Sequence, residues 1–369
     1  MAHSIEKRGK SPDYFLLAVI IILAVFGLAM LASASSNLGK TLFNDTYYYL
    51  KHQILYGVLL GGAGFIAAYF THYQKLKKIA FILLLLSLAA LVLVFSPLGS
   101  PVRNTSRWLF IGPLSIQPAE IMKLTFIIYL AAWLSNPKFK RATDFNSGFL
   151  PFLIISSIIA GLLIIQPATS TVVILLLSAL TVLFVSGTPV KYIALVILGG
   201  ILVFGLVIYA TPYRRARILG FLNPSADTQG QNYQVSQASI AIGSGGIMGR
   251  GYGQSLTKNG YLPTPIDDSI FAVIAEELGF LGAGSLIALF AMLVFRMFWL
   301  AKKMSDRFGR LLLVGFGTVI ALQAFVNMAS ISGLIPLTGV PLPFVSYGGT
   351  ALAVFLTMSG IAVNVSKYA

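Results

Sequence analysis

Two adjacent carboxylates, Asp267 and Asp268, stand at the head of a long apolar run in the stretch G-Y-L-P-T-P-I-D-D-S-I-F-A-V-I-A-E-E-L-G (260–279). A charge beside a membrane segment is costly, so such groups pair, meet water or do chemistry. One of the two is expected to cap the helix that follows. The other is then free to take a proton from a hydroxyl at the membrane surface. Just upstream, the glycine-rich run G-S-G-G-I-M-G-R-G-Y-G (243–253) carries Arg250, and Lys258 follows it. A third group lies in R-W-L-F-I-G-P-L-S-I-Q-P-A-E-I-M-K (107–123), which supplies Arg107, Trp108, Gln117, Glu120 and Lys123. A proton acceptor with guanidinium and ammonium groups around it suits transfer chemistry on a substrate that carries a phosphate-like anion.

Each group also has a plainer reading. Glu120 and Lys123 are three apart and meet on one helical face, as a structural ion pair or as a polar patch lining a substrate cavity. Trp108 suits an interfacial anchor. The glycines fit neither nucleotide signature, since no G-K-[ST] follows and the spacing is not G-x-G-x-x-G after a strand. They serve tight turns or bring backbone amides close to an anion. Glu276 lies about 80° and Glu277 about 180° around the helix from Asp268, taking ~3.6 residues per turn. Both cannot face one cavity with Asp268, so they are expected to have buried partners. In Q-P-A-T-S-T (166–171), Pro167 breaks two apolar runs and the hydroxyls are placed to cap the next helix. The run G-L-I-P-L-T-G-V-P-L-P-F-V-S-Y-G-G (333–349) reads as a stiff outer loop ending at Ser346, Tyr347 and Gly348.

The elements that must position these residues are membrane helices. Of 369 residues, 57% are hydrophobic and 10% charged, and the mean hydropathy is +0.86. That is more apolar surface than one soluble core can hide. Runs long enough to cross a bilayer lie near 15–34, 53–71, 78–96, 119–135, 148–166, 169–187, 190–210, 269–300, 311–331 and 346–365. The first has basic residues before it and Ala32-Ser33-Ala34 after it, but at about 18 residues it exceeds a usual signal h-region and reads as a retained span. The expected fold is an all-α polytopic membrane protein of ten transmembrane helices, one integral membrane domain over 1–369. It has a cytoplasmic N-terminal segment (1–14) and a long extracytoplasmic loop (211–268) between helices 7 and 8.

The net charge of +15 is assigned to loops under the positive-inside rule rather than to nucleic acid. Lys7, Arg8, Lys10, Lys75, Lys77, Lys78, Lys138, Lys140, Arg141, Lys302, Lys303, Arg307, Arg310 and Lys367 all fall on one side. That makes both termini cytoplasmic and places 97–120, the 211–268 segment and 332–345 outside. Arg103, Arg107, Arg214, Arg215, Arg217, Arg250 and Lys258 break the rule by lying outside, where lipid phosphates or a specific anionic head group would suit them. Zero cysteines exclude disulfides and thiolate metal sites. His3, His52 and His72 form no zinc pattern.

The R-W and Q-P-A-E-I-M-K segments, the Q-P turn, G-R-G-Y-G-Q-S with Y-L-P-x-P-x-x-D-S-I-F-A-V-I-A-E-E-L-G, and the V-P-L-P-F-V-S-Y-G-G end resemble, in order, the SEDS family (shape, elongation, division and sporulation). The resemblance covers nearly the whole chain, and its wording is closer to division-type than to elongation-type members. It implies a bacterial inner-membrane peptidoglycan glycosyltransferase that polymerises lipid II, an undecaprenyl-diphosphate-linked disaccharide peptide. A class B penicillin-binding protein and other division or elongation membrane proteins are the implied partners. Asp268 matches the family's essential aspartate. Arg107, Trp108, Gln117, Glu120 and Lys123 match cavity-lining residues, and Ser346 and Gly348 match the V-S-Y-G-G end. The chain departs from the family at Ala168, where many members have aspartate, and at Thr264 to Ile266, where a glutamate and a histidine are usual.

The expected reaction has Asp268 as general base on an acceptor 4-hydroxyl, with Arg107, Lys123, Arg250 and Lys258 among the substrate contacts and inversion at the anomeric carbon. A divalent cation, Mg or Mn, is compatible with it, although the sequence shows no metal cage. Rival readings are a lipid II flippase and a non-catalytic division scaffold. Transport calls for polar residues across the full bilayer depth, whereas here they gather at the outer third, with Glu276 and Glu277 the exceptions.

Overall fold

Apolar helices dominate the chain because in a bilayer every backbone group must be satisfied within its own segment. The computed structural model describes residues 11–97, 99–102, 105–112, 114–136, 141–223 and 232–369. His3, Lys7, Arg8, Lys10, Arg103, Lys138 and Lys140 lie outside the described residues.

The helices are α1 (Tyr14–Phe43), α2 (Tyr48–Gln53), α3 (Leu60–Phe70), α4 (Gln74–Leu93), α5 (Pro118–Leu134), α6 (Leu150–Ile165), α7 (Thr169–Val185), α8 (Val190–Ala210), α9 (Pro212–Leu222), α10 (Tyr233–Ser244), α11 (Ile270–Lys303), α12 (Arg307–Ile331) and α13 (Gly349–Ser366). A wider π-helical turn, Ile54–Leu59, joins α2 to α3, and another, Phe145–Phe149, leads into α6. Among the described residues, eight helical stretches are long and apolar enough to cross a membrane. α5 and α7 have 17 residues each.

The all-α expectation needs one correction. Residues 97–120, expected as a polar loop, contain a three-stranded antiparallel sheet of β1 (Gly99–Val102), β2 (Thr105–Ile111) and β3 (Leu114–Ile116) in the order β1-β2-β3. The 211–268 segment is also more than a loop, since it folds into α9 and α10.

α5, α12 and α13 form the centre, with most of their residues buried. At the opposite extreme, α8 has no buried residue. A helix apolar on all sides and unburied by protein is stable where lipid covers it. Both ends of the described chain meet on one face. The Asp13 backbone N–H donates to Ser366 Oγ (3.0 Å), while its carboxylate caps α1 at Leu16 N (2.8 Å) and pairs with Arg296 (2.5 Å). Arg296 also lies over the Trp299 ring, 4.1 Å from its centroid. Asp306, from the same end, takes a hydrogen bond from Tyr73 Oη (3.1 Å).

α11 is broken at Gly279 (φ 67°, ψ −164°). A break in a membrane helix strands backbone groups that lipid cannot satisfy. Here the glycine-rich run fills the gap. Arg250 N donates to Glu276 O (3.0 Å) and Gly251 N to Glu277 O (2.9 Å), while Phe280 N donates to Gly246 O (2.9 Å) and Leu281 N to Ile247 O (3.1 Å). The backbones touch so closely that a Cβ on Gly279 would lie 2.3 Å from Gly249 N. Gly279→Ala combines a backbone conformation open almost only to glycine with that clash. It is expected to destabilise the fold by about 3 kcal/mol, measured as a lower thermal midpoint in detergent; an unchanged midpoint would refute the account.

Candidate active site

Asp268 sits two residues before α11, half-buried, and all its partners are neutral. Thr264 Oγ1 donates to Oδ1 (2.5 Å), and Gln234 Nε2 from α10 donates to Oδ2 (3.1 Å). Its carbonyl accepts from Asn327 Nδ2 (2.9 Å). The expected helix cap is corrected: the cap position is Ser269, and its hydroxyl bonds Pro263 O (2.9 Å) instead of α11. The Asp268 carboxylate is held by Thr264 and Gln234 and does not cap α11. Asp267 contributes its carbonyl, which accepts from Ser346 Oγ (2.5 Å).

The 332–348 segment lies over this carboxylate and takes bonds from three helices, α7, α9 and α12. Leu337 O accepts from Arg217 (3.1 Å), Thr338 O from Ser170 Oγ (3.2 Å), Val340 O from Asn327 (2.7 Å) and Pro341 O from Gln323 (3.0 Å). Ser346 Oγ accepts from Leu342 N (2.8 Å). Gly339, between them, is close enough that a Cβ there would lie 3.8 Å from Asp268 Oδ2. Ser170 thus serves this segment, and the expected hydroxyl cap on α7 is absent; its cap position is Ala168.

Arginines gather beside the same segment. Arg107, on β2, donates to Gln166 O (2.9 Å) and Pro167 O (2.6 Å) at the turn between α6 and α7. Arg214 donates to Ile164 O (3.2 Å). Burial lowers the Arg107 pKa from its ordinary value, and the nearby Arg217 and Arg214 guanidiniums add to that. Among the described residues, none of the three is paired with a carboxylate. Three guanidiniums held together by carbonyls form a patch that an anion would relieve. Arg217 is bound at Leu337 O and Asp268 lies against Gly339, so their attachment points on this segment are at most ~7.6 Å apart between Cα atoms.

The other expected contacts divide. Lys123 is buried on α5, with Nζ 2.7 Å from Glu120 Oε1 and 2.5 Å from Gln323 Oε1 and the Phe355 ring beneath it (5.4 Å). Gln323 passes this contact on to Pro341 O. Trp108 is half-buried on β2, paired in register with Ser100. Gln117 precedes α5, and its N–H donates to Thr350 Oγ1 on α13 (3.3 Å). Gly348 N donates to Gln53 Oε1 (3.0 Å). Tyr347 Oη lies 2.8 Å from His52 Nδ1, and burial pushes its pKa above the ordinary phenol range, so the phenol stays neutral.

Lys258 is not offered to a ligand. Its ammonium is buried against Glu277 (2.8 Å), Ser33 Oγ (2.9 Å) and Gly253 O (2.9 Å). Glu277 also accepts from Ser33 Oγ (2.7 Å) and Gly253 N (3.0 Å). Glu276 accepts from Ser255 Oγ (2.6 Å), Thr257 Oγ1 (2.5 Å) and Leu256 N (3.1 Å), with Arg250 Nε at 3.8 Å. Both glutamates thus have buried partners, supplied by the 250–258 segment and α1.

Comparison with known proteins decides the family. A model of the FtsW/RodA/SpoVE family, described as cell cycle protein, matches residues 13–369. The chain belongs to the FtsW/RodA/SpoVE family. Stage V sporulation protein E of Bacillus subtilis (strain 168) is 37% identical over 362 residues, covering 97% of this chain and 98% of its own. A probable peptidoglycan glycosyltransferase FtsW of the same organism is 39% identical over 376 residues, covering 99% and 93%. Among solved structures, a peptidoglycan synthase complex described as coordinating polymerization and crosslinking contains a chain that is 29% identical, with a TM-score of 0.78 and coverage of 96% and 97%. The rod shape determining protein RodA of Thermus thermophilus is 26% identical, with a TM-score of 0.71 and coverage of 96% of each chain.

For this member of the FtsW/RodA/SpoVE family, sequence reasoning missed Gln234, Gln323 and Asn327, which reach Asp268 or the segment above it. The spacing of Gln323 and Asn327, four apart on α12 and flanked by apolar residues, is the one signal that pointed to a shared polar face.

Proposed function

We propose that the chain is an inverting peptidoglycan glycosyltransferase that polymerises lipid II at the outer face of the bacterial inner membrane. In this reading α1, the joined α2 and α3, α4, α5, α6, α7, α8, α11, α12 and α13 make ten crossings, and both termini are cytoplasmic. The 17-residue α5 and α7 rise about 26 Å at ~1.5 Å per residue, at the lower end of the roughly 17–25 residues that a crossing takes. An even number of crossings agrees with Asp13 meeting Ser366, and Lys302, Lys303 and Lys367 close to that end agree with a cytoplasmic side.

The observation that carries the reading is a half-exposed carboxylate on neutral donors under the 332–348 segment, with three guanidiniums gathered near that segment and, among the described residues, paired with no carboxylate. Asp268 takes the proton of the acceptor 4-hydroxyl as its oxygen attacks the anomeric carbon from the face opposite the leaving group. The bond to the polyprenyl diphosphate breaks, and a single displacement inverts the centre. Arg107, with Arg214 and Arg217, neutralises the charge growing on the diphosphate, a contribution that is often the largest in such reactions. Trp108, Gln117 and Arg250 remain rim contacts in this proposal. Lys123, with Glu120, supports the floor through Gln323, while Lys258, Ser346 and Gly348 hold the frame.

The donor set does not fit a resident metal. No cluster of three or more His, Cys, Asp or Glu gathers among the described residues, and the Asp268 oxygens already accept from Thr264 and Gln234. Mg or Mn would arrive as the counter-ion of the substrate diphosphate, and no step here runs through it. A class B penicillin-binding protein is the proposed partner, from the similarity to a chain of the solved synthase complex, with other division or elongation proteins around it. The division-type reading fits the FtsW name of several relatives.

Purified protein given labelled lipid II, alone and with a class B penicillin-binding protein, is expected to produce glycan strands in at least one arm. Absence of polymer from both would remove the enzymatic reading.

A further inference from the structure

The Gln234 carboxamide meets three oxygens: Asp268 Oδ2 (3.1 Å), Thr264 Oγ1 (3.2 Å) and Ser269 Oγ (2.9 Å). The hydroxyls of two of these point elsewhere, Thr264 to Asp268 Oδ1 and Ser269 to Pro263 O, so their lone pairs face Gln234, and its two N–H groups are shared among the three oxygens. An ionised carboxylate only accepts, which puts the NH2 end of the amide against Asp268. Each carboxylate oxygen therefore has one donor, and the two donors are themselves neighbours, 3.2 Å apart.

Packing explains why Gln234 points there. Residues 234, 238, 241 and 245 recur at helical spacing and form one stripe of α10. Ala238 and Ala241 are fully buried. Beyond them, Gly245 runs so close to α11 that a Cβ would lie 2.0 Å from Ala275 O. Small residues thus seat α10 tightly on the first turns of α11, and the outermost member of the stripe arrives over Asp268. The start of α10 is anchored in turn, since Asn232 Nδ2 donates to Gly220 O (3.0 Å) and Asn223 O (3.3 Å) near the end of α9.

We infer that Gln234 is a positioning residue for glycosyl transfer: it holds the Asp268 carboxylate in one rotamer and links its aim to the seating of α10. This rests on Asp268 being the base. A base acts only within about 3 Å of the hydroxyl it deprotonates, so a carboxylate free to swing spends less time in reach. Losing the Gln234 donor lowers turnover while leaving substrate binding, which the arginines and the polyprenyl chain govern, nearly unchanged.

Three variants test this in the full-length purified enzyme, or in its complex with the penicillin-binding protein, using labelled lipid II. Gln234→Leu removes the donor and is expected to lower kcat about 10- to 100-fold, with KM within about twofold. Gln234→Glu has nearly the shape of glutamine but sets an anion against Asp268, and should be worse than leucine. Gln234→Asn, which retains the amide on a shorter stem, should recover part of the rate. A purely packing role predicts the reverse order for glutamate and leucine. Wild-type kcat in the leucine and glutamate variants, a loss confined to KM, or glutamate better tolerated than leucine would each overturn the inference. If the leucine variant does not fold, the glutamate variant, equal in length to glutamine, decides by the same kcat and KM comparison. Failure of the base assignment is seen separately, as full activity in Asp268→Asn.

Discussion

Asp268→Asn is expected to keep its fold and to polymerise lipid II at least about 10³-fold more slowly than the parent, within the range that a general base contributes. The substitution removes the proton acceptor and changes little else. Asparagine has the shape of aspartate, and its carbonyl oxygen can accept from Gln234 while the Thr264 hydroxyl turns to accept from its NH2 group. The backbone contact from Asn327 to the residue 268 carbonyl does not depend on the side chain. The thermal midpoint should therefore stay within a few degrees, and the rate loss should appear in kcat. A variant that still polymerises at the parental rate would leave the protein without its base.

Lys258→Met is expected to cost about 3–5 kcal/mol of stability, because it leaves Glu277 as a buried anion without its cation. Glu277 has 0% exposure, and the hydrogen bonds it takes from Ser33 and Gly253 do not neutralise its charge. The effect reads out as a lower midpoint in detergent. Lys258→Met combined with Glu277→Gln should recover much of it, since a neutral amide can keep several of those contacts. Were Lys258 a diphosphate ligand instead, the single variant would raise KM at an unchanged midpoint, so the two roles separate in one pair of measurements.

This position also shows where sequence reading stops. Lys258 and Arg107 both carry an outer-face cation near the suspected acid. One is locked to Glu277 and the other is held by two carbonyls beside two more arginines. Coulomb energy depends on separations of a few ångström inside a low-dielectric fold, and position along the chain does not encode them. Gln234 was invisible for a related reason. Its partner lies 34 residues away, and only the close seating of α10 on α11 brings them together.

The membrane helices were far more legible. The run expected at 190–210 is α8 (Val190–Ala210), and 169–187 is α7 (Thr169–Val185). An apolar run of bilayer length has few alternatives in lipid. The first span overran its expectation, ending at Phe43 rather than near 34, because hydropathy marks the membrane and says little about where helical hydrogen bonding stops. Residues 97–120 read in sequence as a polar outer segment; the sheet there depends on pairings between separate strands.

By itself the sequence determined a polytopic membrane protein, its resemblance to the SEDS family and the candidate acid at the mouth of α11. These follow from local composition and from side chains in fixed order. Tertiary structure alone decided that Asp268 is held by Gln234 and Thr264 rather than capping its helix, that the glycine-rich run mends the break at Gly279, and that Lys258 is paired with a carboxylate while, among the described residues, Arg107 is not. Those outcomes come from competition among partners distant in sequence, and packing settles that competition by choosing which groups come within hydrogen-bond reach.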